Sequence, residues 1–318
     1  MTRPVLSAQL PYTLRETNFP ALGRKYRGKV RDTYAAGDRL VLITTDRLSA
    51  FDRVLTTVPF KGELLNRLAN FWFEKTRHLV PNHVLDAPDP NVIVGRRCEA
   101  FPVEIVVRGY ITGSLWRDYQ KGTHDVYGVP IPSGMKKDQR FDRPIITPST
   151  KAEAGQHDEP ISAQQILARG LVSRTDWERA CEAALTLFAE GQRWAAERGL
   201  ILVDTKYEFG KQGDELYVID EIHTPDCSRY WIAEGYEERF QAGEDQRMMD
   251  KENIRQWLIT ERGWQGHGDP PEIPDDVRVD LAEKYARAYE LITGESLQLV
   301  AGDPLARILQ NLKAKGYL

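Results

Sequence analysis

Hydrophobic positions along this 318-residue chain recur at two periods, and the change from one to the other marks out its elements. Period-two alternation with β-branched and aromatic residues predicts short strands over Lys29–Tyr34 and Leu40–Thr45, joined at Ala35-Ala36-Gly37-Asp38. A further strand is expected over Val103–Arg108, ending at Gly109. Two more, Leu202–Phe209 and Leu216–Glu221, flank Gly210-Lys211-Gln212-Gly213-Asp214, which carries the glycines of a hairpin turn. Helical spacing takes over at 62–79, through Leu64, Leu65, Leu68, Phe71, Trp72 and Leu79. It returns at Thr175–Arg198, where Trp177, Cys181, Ala184, Phe188 and Ala195 repeat and Gly199 follows as a stop. Helices are also expected at Asp250–Ile259, Asp275–Ile292 and Pro304–Lys315. Between Gly122 and Pro160 the chain is rich in Gly, Pro and polar residues, which predicts one long loop of the kind that carries function. A β-rich front and a mixed rear finished by helices predict an α+β protein of two lobes, 1–105 and 106–318, with a ligand cleft between them.

Composition narrows the class. With 41% hydrophobic and 28% charged residues the chain has ample core and no disordered character. A formal charge of −4 argues against an extended nucleic-acid surface but leaves room for a local basic pocket. Cys98, Cys181 and Cys227 make neither a zinc pattern nor a disulfide framework, which points to a reducing cytoplasm. No apolar run reaches signal-peptide or membrane-span length, so neither secretion nor a membrane is expected. Oligomeric state leaves no mark in the sequence.

The richest chemistry lies on the 202–221 hairpin. Alternation puts Asp204, Lys206 and Glu208 on one strand face and Val203 and Tyr207 on the other, while Val218 and Asp220 share a face of the partner strand. Carboxylates among so many β-formers are costly to bury without a compensating cation. The face therefore suits Mg²⁺ and phosphate; the alternative is a set of structural ion pairs, Lys206 with Glu208 or Asp220.

Other segments are open to two readings. Gly23 to Lys29 has Walker A spacing, but Val30 stands where Ser or Thr should meet magnesium and the flanking elements are wrong, so it is not a P-loop. It is either a glycine hairpin over nucleotide phosphates, with Gly28, Lys29 and Arg31 as its working residues, or a basic surface turn. Thr45-Asp46-Arg47-Leu48-Ser49-Ala50-Phe51-Asp52 reads by itself as a solvated loop with local side-chain turns. Arg108, followed by Gly109, Gly113 and Ser114, suits a phosphate or carboxylate, or pairs with a structural acid. His157, beside Asp158 and Glu159 and near Lys151 and Glu153, is placed nearer substrate contact than catalysis. Asp226 and Arg229 follow the second acidic strand, within reach of a cation or amine and of an anion. Cys227 has no partner pattern of a nucleophile.

In their order along the chain, these segments resemble the SAICAR synthetase family. The likeness rests on Gly28-Lys29-Val30-Arg31-Asp32-Thr33-Tyr34, on residues 45–52, on Val107 to Ser114, on Leu202 to Gly210, and on Asp220-Glu221 through Pro225-Asp226-Cys227-Ser228-Arg229. It covers the chain from about Gly23 to Leu258. Residues 147–160 resemble the longer, yeast-like form. His223-Thr224 and Cys227 depart from shorter members without removing a charge the chemistry needs.

The resemblance implies a kinase-like antiparallel ATP lobe and a mixed α+β lobe ending in helices. It implies a ligase that joins a carboxylated aminoimidazole ribonucleotide to L-aspartate, using ATP and Mg²⁺. It also implies residue roles. Gly28, Lys29 and Arg31 would hold the ATP phosphates, and Glu208 and Asp220 the metal. Lys206 would stabilise charge at the transferring phosphoryl, with Asp204 orienting it. Arg108, Ser114 and Arg229 would grip substrate phosphate and carboxylates, and Asp46, Ser49, Asp52 and Asp226 would line the substrate side. Two rivals use the same features, a small-molecule kinase and a nucleotide-binding protein without catalysis.

Overall fold

The computed structural model describes residues 3–51, 53–151, 158–249 and 252–318. The chain runs through α1 (Arg3–Ala8), β1 (Arg24–Arg27), β2 (Arg31–Ala36), β3 (Arg39–Thr44), β4 (Arg47–Ala50), β5 (Arg53–Thr57) and α2 (Lys61–Thr76). Next come β6 (Val84–Asp89), β7 (Val92–Arg96), β8 (Glu99–Tyr110), α3 (Gly113–Lys121), β9 (Arg140–Ile146) and β10 (Ser149–Thr150). Then follow α4 (Ala163–Ala168), α5 (Arg174–Ala196), β11 (Leu200–Gln212), β12 (Glu215–Ile219), β13 (Ser228–Ile232) and α6 (Tyr236–Ala242). The last helices are α7 (Glu252–Thr260), α8 (Asp275–Thr293) and α9 (Pro304–Ala314).

Two compact units result: residues 1–74, 83–97 and 250–318 form the first, and 75–82 with 98–249 the second. The first is built on an antiparallel sheet in the order β1-β2-β3-β7-β6, with β4 and β5 as a separate hairpin. Alternate residues of its strands, Tyr34, Val41, Ile43, Val92 and Val94, bury against Ile308 and Leu312 of α9. That packing returns the C-terminal helix to the first sheet, whereas the sequence grouped residues 106–318 in one lobe. The periodicity of Ile308 and Leu312 shows that α9 has a buried face but not which sheet it covers.

In the second unit β11 is the central strand, flanked by β8 on one side and by β12 and β13 on the other. Residues 202–205 and 207–210 of β11 are buried on both faces, as a covered central strand requires. Ser173 caps α5 by accepting from the Asp176 N–H at 3.1 Å. The helix then buries Trp177, Ala180, Ala184, Leu187, Phe188, Gly191 and Ala195 along one stripe. Gly199, at φ 67°, turns the chain from this helix into β11.

The stretch expected as a single loop from Gly122 to Pro160 contains β9 and β10. Phe141 of β9 is drawn inward by Ile111, Leu115, Tyr127 and Met135, and that burial gives the segment its strand. Among the described residues no helix is long and apolar enough to cross a membrane.

Candidate active site

In the second unit, antiparallel register sets Asp204 opposite Arg108, Lys206 opposite Val106, and Glu208 opposite Glu104. Two buried carboxylates directly across a ladder repel each other. Lys206 resolves the repulsion. Its ammonium donates to Glu104 Oε1 at 2.8 Å and to Glu208, and Asp220 Oδ2 lies 3.9 Å away. Glu208 also receives Lys151, and Glu104 Oε2 accepts from Ser149 Oγ at 3.3 Å. Three carboxylates thus gather around two ammoniums in a largely buried place.

The protonation states follow from this arrangement. Burial raises the Glu208 carboxyl, but Lys206 and Lys151 outweigh it and hold the group well below the usual carboxylate range. Glu104 goes up, first through burial and then through Glu208, with Lys206 opposing. Burial disfavours the Lys206 ammonium, yet Glu208 and Glu104 hold its proton more tightly than usual.

Asp220 is placed differently from expectation. β12 ends at Ile219, and Asp220 sits beyond it in the left-handed region at φ 69°, so its direction comes from a turn rather than from strand alternation. Neighbouring groups hold that turn. Tyr207 Oη and His223 Nε2 are 2.5 Å apart, Tyr230 Oη donates to the His223 carbonyl at 2.8 Å, and Lys206 N–H donates to the Cys227 carbonyl at 3.0 Å. His223 itself adopts φ 55° and is fully buried, which pushes its imidazole down to about 3. Such strained residues persist only where their surroundings fix them. Asp226 is half-buried, its N–H donating to Thr224 Oγ1 at 3.3 Å. Burial pushes the Cys227 thiol up, away from nucleophile chemistry.

A second constellation lies along the same strands. Asp204 Oδ2 accepts from Arg108 at 3.0 Å and from Arg229 at 2.7 Å. The carboxylate expected to orient Lys206 is therefore bound to the two arginines, and the groups that orient Lys206 are Glu104 and Glu208. Arg108 is buried and also donates to Thr147 Oγ1 at 2.7 Å and to Ser114 Oγ at 3.2 Å. Both readings of Arg108 are thus present, a structural ion pair and a place beside Ser114. Arg229 lies over Gly113 at the start of α3, where a Cβ would stand 2.2 Å from its guanidinium. Two guanidiniums thus gather at one carboxylate beside a helix start, a setting for a phosphate or carboxylate.

In the first unit, the turn between β1 and β2 carries Gly28 and Lys29. Gly28 N–H donates to the Arg31 carbonyl at 2.8 Å, so the turn itself uses the backbone group that the phosphate reading would spend on ATP. A Cβ on Gly28 would stand 3.2 Å from that carbonyl, tighter than the turn accommodates without shifting. From beneath, Arg47 donates to the Gly28 carbonyl at 3.1 Å and the Lys29 carbonyl at 3.0 Å, and Thr45 Oγ1 to the Val30 carbonyl at 2.7 Å. What the turn presents is the exposed Lys29 and the half-buried Arg31.

Residues 45–47 are therefore a clasp and not a solvated loop. Asp46 is buried and accepts the Leu14 N–H at 2.6 Å and the Gly62 N–H at 2.8 Å, which spends it on the backbone rather than on a substrate surface. Burial lifts its carboxyl to about 6 although both N–H donors oppose this. Ser49 is half-buried on β4. Asp52, Glu153 and His157 lie outside the described residues.

Among the described residues no set of three or more His, Cys, Asp or Glu side chains forms a ready metal cage. Mg²⁺ does not need one: it takes one or two carboxylates and completes its shell with water and phosphate oxygens. Glu208 and Asp220, hard-oxygen groups on one ammonium, fit that requirement.

Sequence reasoning missed Glu104, Ser149, Lys151, Asp32 and the task of Arg47. The alternation of Glu104, Val106 and Arg108 on β8 carried a signal, since it puts an acid on the face of the arginine.

Comparison with known proteins gives one family. The family described as SAICAR synthetase matches residues 24–271. A phosphoribosylaminoimidazole-succinocarboxamide synthase of Legionella pneumophila (strain Lens) is 47% identical over 317 residues, covering 96% of this chain and 99% of that protein. The solved SAICAR synthase from Saccharomyces cerevisiae, complexed with SAICAR, superposes with a TM-score of 0.79 at 34% identity, covering 90% of this chain and all of that one. A SAICAR synthetase solved in complex with ADP gives 0.66 at 26% identity, covering 87% of this chain and all of that one.

Proposed function

This chain belongs to the SAICAR synthetase family, and we propose that its acidic strand pair and paired arginines serve that family's ATP-driven amide formation. The protein is an ATP-dependent carbon–nitrogen ligase of purine biosynthesis. It joins 5-amino-1-(5-phospho-D-ribosyl)imidazole-4-carboxylate to L-aspartate, giving the succinocarboxamide ribonucleotide, ADP and phosphate. The observation that carries the site assignment is the convergence of Glu104, Glu208 and Asp220 on Lys206.

The chemistry dictates what such a site must supply. A carboxylate is a poor electrophile, so one of its oxygens first takes the γ-phosphoryl of ATP and ADP leaves. The aspartate amine then attacks the acyl carbon of this acyl phosphate, and phosphate departs. No protein nucleophile is needed; orientation and charge neutralisation supply the acceleration. Glu208 and Asp220 are the residues assigned to Mg²⁺, which neutralises triphosphate charge when bound. Lys206, kept protonated by its acidic neighbours, provides a fixed positive charge for the transferring phosphoryl. Arg229, with Arg108, Asp204 and Ser114 behind it, is assigned to the phosphate or carboxylates of the ribonucleotide, and Asp226 to the same substrate side.

On the first unit, Lys29 and Arg31 are assigned to the ATP phosphates, with Gly28 keeping their turn small. Ser49 is kept as a substrate-side residue, and Asp52 with it on sequence grounds alone. The three cysteines, all free thiols, support a cytoplasmic setting.

The test is an ADP-release assay with the carboxylated ribonucleotide, with and without L-aspartate. Turnover that needs both, with a new amide in the product, supports the ligase. Aspartate-independent ADP release with a phosphorylated product would instead make it a kinase.

A further inference from the structure

Three alternate residues of one segment each reach a different member of the site. Thr147 Oγ1 accepts from Arg108 at 2.7 Å, Ser149 Oγ donates to Glu104 at 3.3 Å, and Lys151 pairs with Glu208. The spacing of two is that of a strand, and β10 (Ser149–Thr150) pairs antiparallel with Val103 and Glu104 of β8. The segment therefore lies on the edge of β8 away from β11, with its side chains of one face turned to the site. Lys151 ends the series on the carboxylate assigned to the metal.

The two oxygens of Glu208 are divided between two cations. Lys206 takes Oε1 and Lys151 takes Oε2. The two lysines differ in how firmly they are held. The Lys206 side chain is 28% exposed and is also engaged by Glu104, whereas that of Lys151 is 43% exposed and pairs, among the described residues, with Glu208. An exposed ammonium on a flexible stem exchanges readily.

We propose that Lys151 is a place-holding cation for Glu208: it occupies Oε2 until a divalent ion takes that oxygen, and so it competes with the metal. This rests on the assignment of Glu208 to Mg²⁺. The benefit is physical. Without its metal, Glu208 would share the single ammonium of Lys206 with Glu104, and an exchangeable second ammonium lowers the remaining cost without closing the site. A divalent ion at Oε2 would then release Lys151 from it.

The test uses Mn²⁺ alone, without nucleotide, with binding to the full-length chain followed by electron paramagnetic resonance of the free ion. Lys151→Met removes the competitor and binds Mn²⁺ about two- to fivefold more tightly, the effect expected of one half-exposed ion pair. Lys151→Arg, which keeps the charge, stays near the unmodified protein. Glu208→Gln binds weakly. Near-ultraviolet circular dichroism verifies that each variant keeps its packing. Unchanged or weaker Mn²⁺ binding by Lys151→Met, with Glu208→Gln still weakened, overturns the place-holder and leaves the metal assignment standing. Unimpaired binding by Glu208→Gln overturns both.

Discussion

Arg47 and Asp32 face each other at 2.8 Å with neither side chain exposed, directly below the turn that carries Gly28 and Lys29. Asp32 also accepts the Thr17 N–H at 2.7 Å, and burial of the acid is outweighed by that bond and by Arg47, so its carboxyl is held below the ordinary range. The pair is a foundation for the turn rather than a contact with substrate, because every oxygen and guanidinium nitrogen named points inward.

Removing Arg47 leaves the buried Asp32 carboxylate with Lys25, at 3.2 Å, as its remaining cation and strips donors from the Arg15, Gly28 and Lys29 carbonyls. Arg47→Met is expected to cost about 3–5 kcal/mol in urea denaturation. Arg47→Met with Asp32→Asn should cost less than the two single losses added together, since the second change removes the stranded charge. A loss below about 1 kcal/mol in the single variant would show that the pair is not the turn's support.

The two arginines on Asp204 should separate by readout. Arg108 is buried with three protein partners, of which Asp204 keeps Arg229, so Arg108→Ala is expected to lower stability by about 1–3 kcal/mol. Arg229 is more exposed, and Arg229→Ala is expected to raise the KM for the ribonucleotide about tenfold or more while leaving that for ATP near its starting value. Equal effects on both KM values would remove Arg229 from the substrate grip.

His223 gives the fold an acid-sensitive member. Burial pushes its imidazole from 6.5 down to about 3, so the unfolded chain takes up a proton that the folded one refuses. Stability from this group is fully present above pH 6.5 and is lost as pH falls toward 3, by at most about 1.4 kcal/mol per pH unit. Urea midpoints at pH 7, 6 and 5 for the unmodified chain and for His223→Gln should converge as pH falls. Parallel curves would mean that His223 titrates normally.

Much of this was legible in the sequence because it is local. Strand alternation brought Lys206 and Glu208 to one face and Gly213 marked their hairpin, whereas Gly210, expected in the turn, lies inside β11 and pairs with Tyr217. The register that sets Glu104 opposite Glu208 joins segments about a hundred residues apart, and no local pattern encodes it. Asp46 misled for a different reason: its neighbours have the composition of a loop, but backbone N–H groups of Leu14 and Gly62 claim its carboxylate. Asp220 looked like a strand residue, because alternation gives no warning that the strand stops at Ile219. Lys151 sits in a stretch read as a long loop, and only the pairing of β10 with β8 brings it to Glu208.

We propose that Glu208 and Asp220 hold the divalent ion that the ligase reaction uses. Glu208→Gln and Asp220→Asn remove one negative charge each with little change of shape. With all substrates present and Mg²⁺ limiting, ADP release by each variant should fall about a hundredfold or more while circular dichroism stays unchanged. Near-unmodified turnover by either variant under those conditions would contradict it.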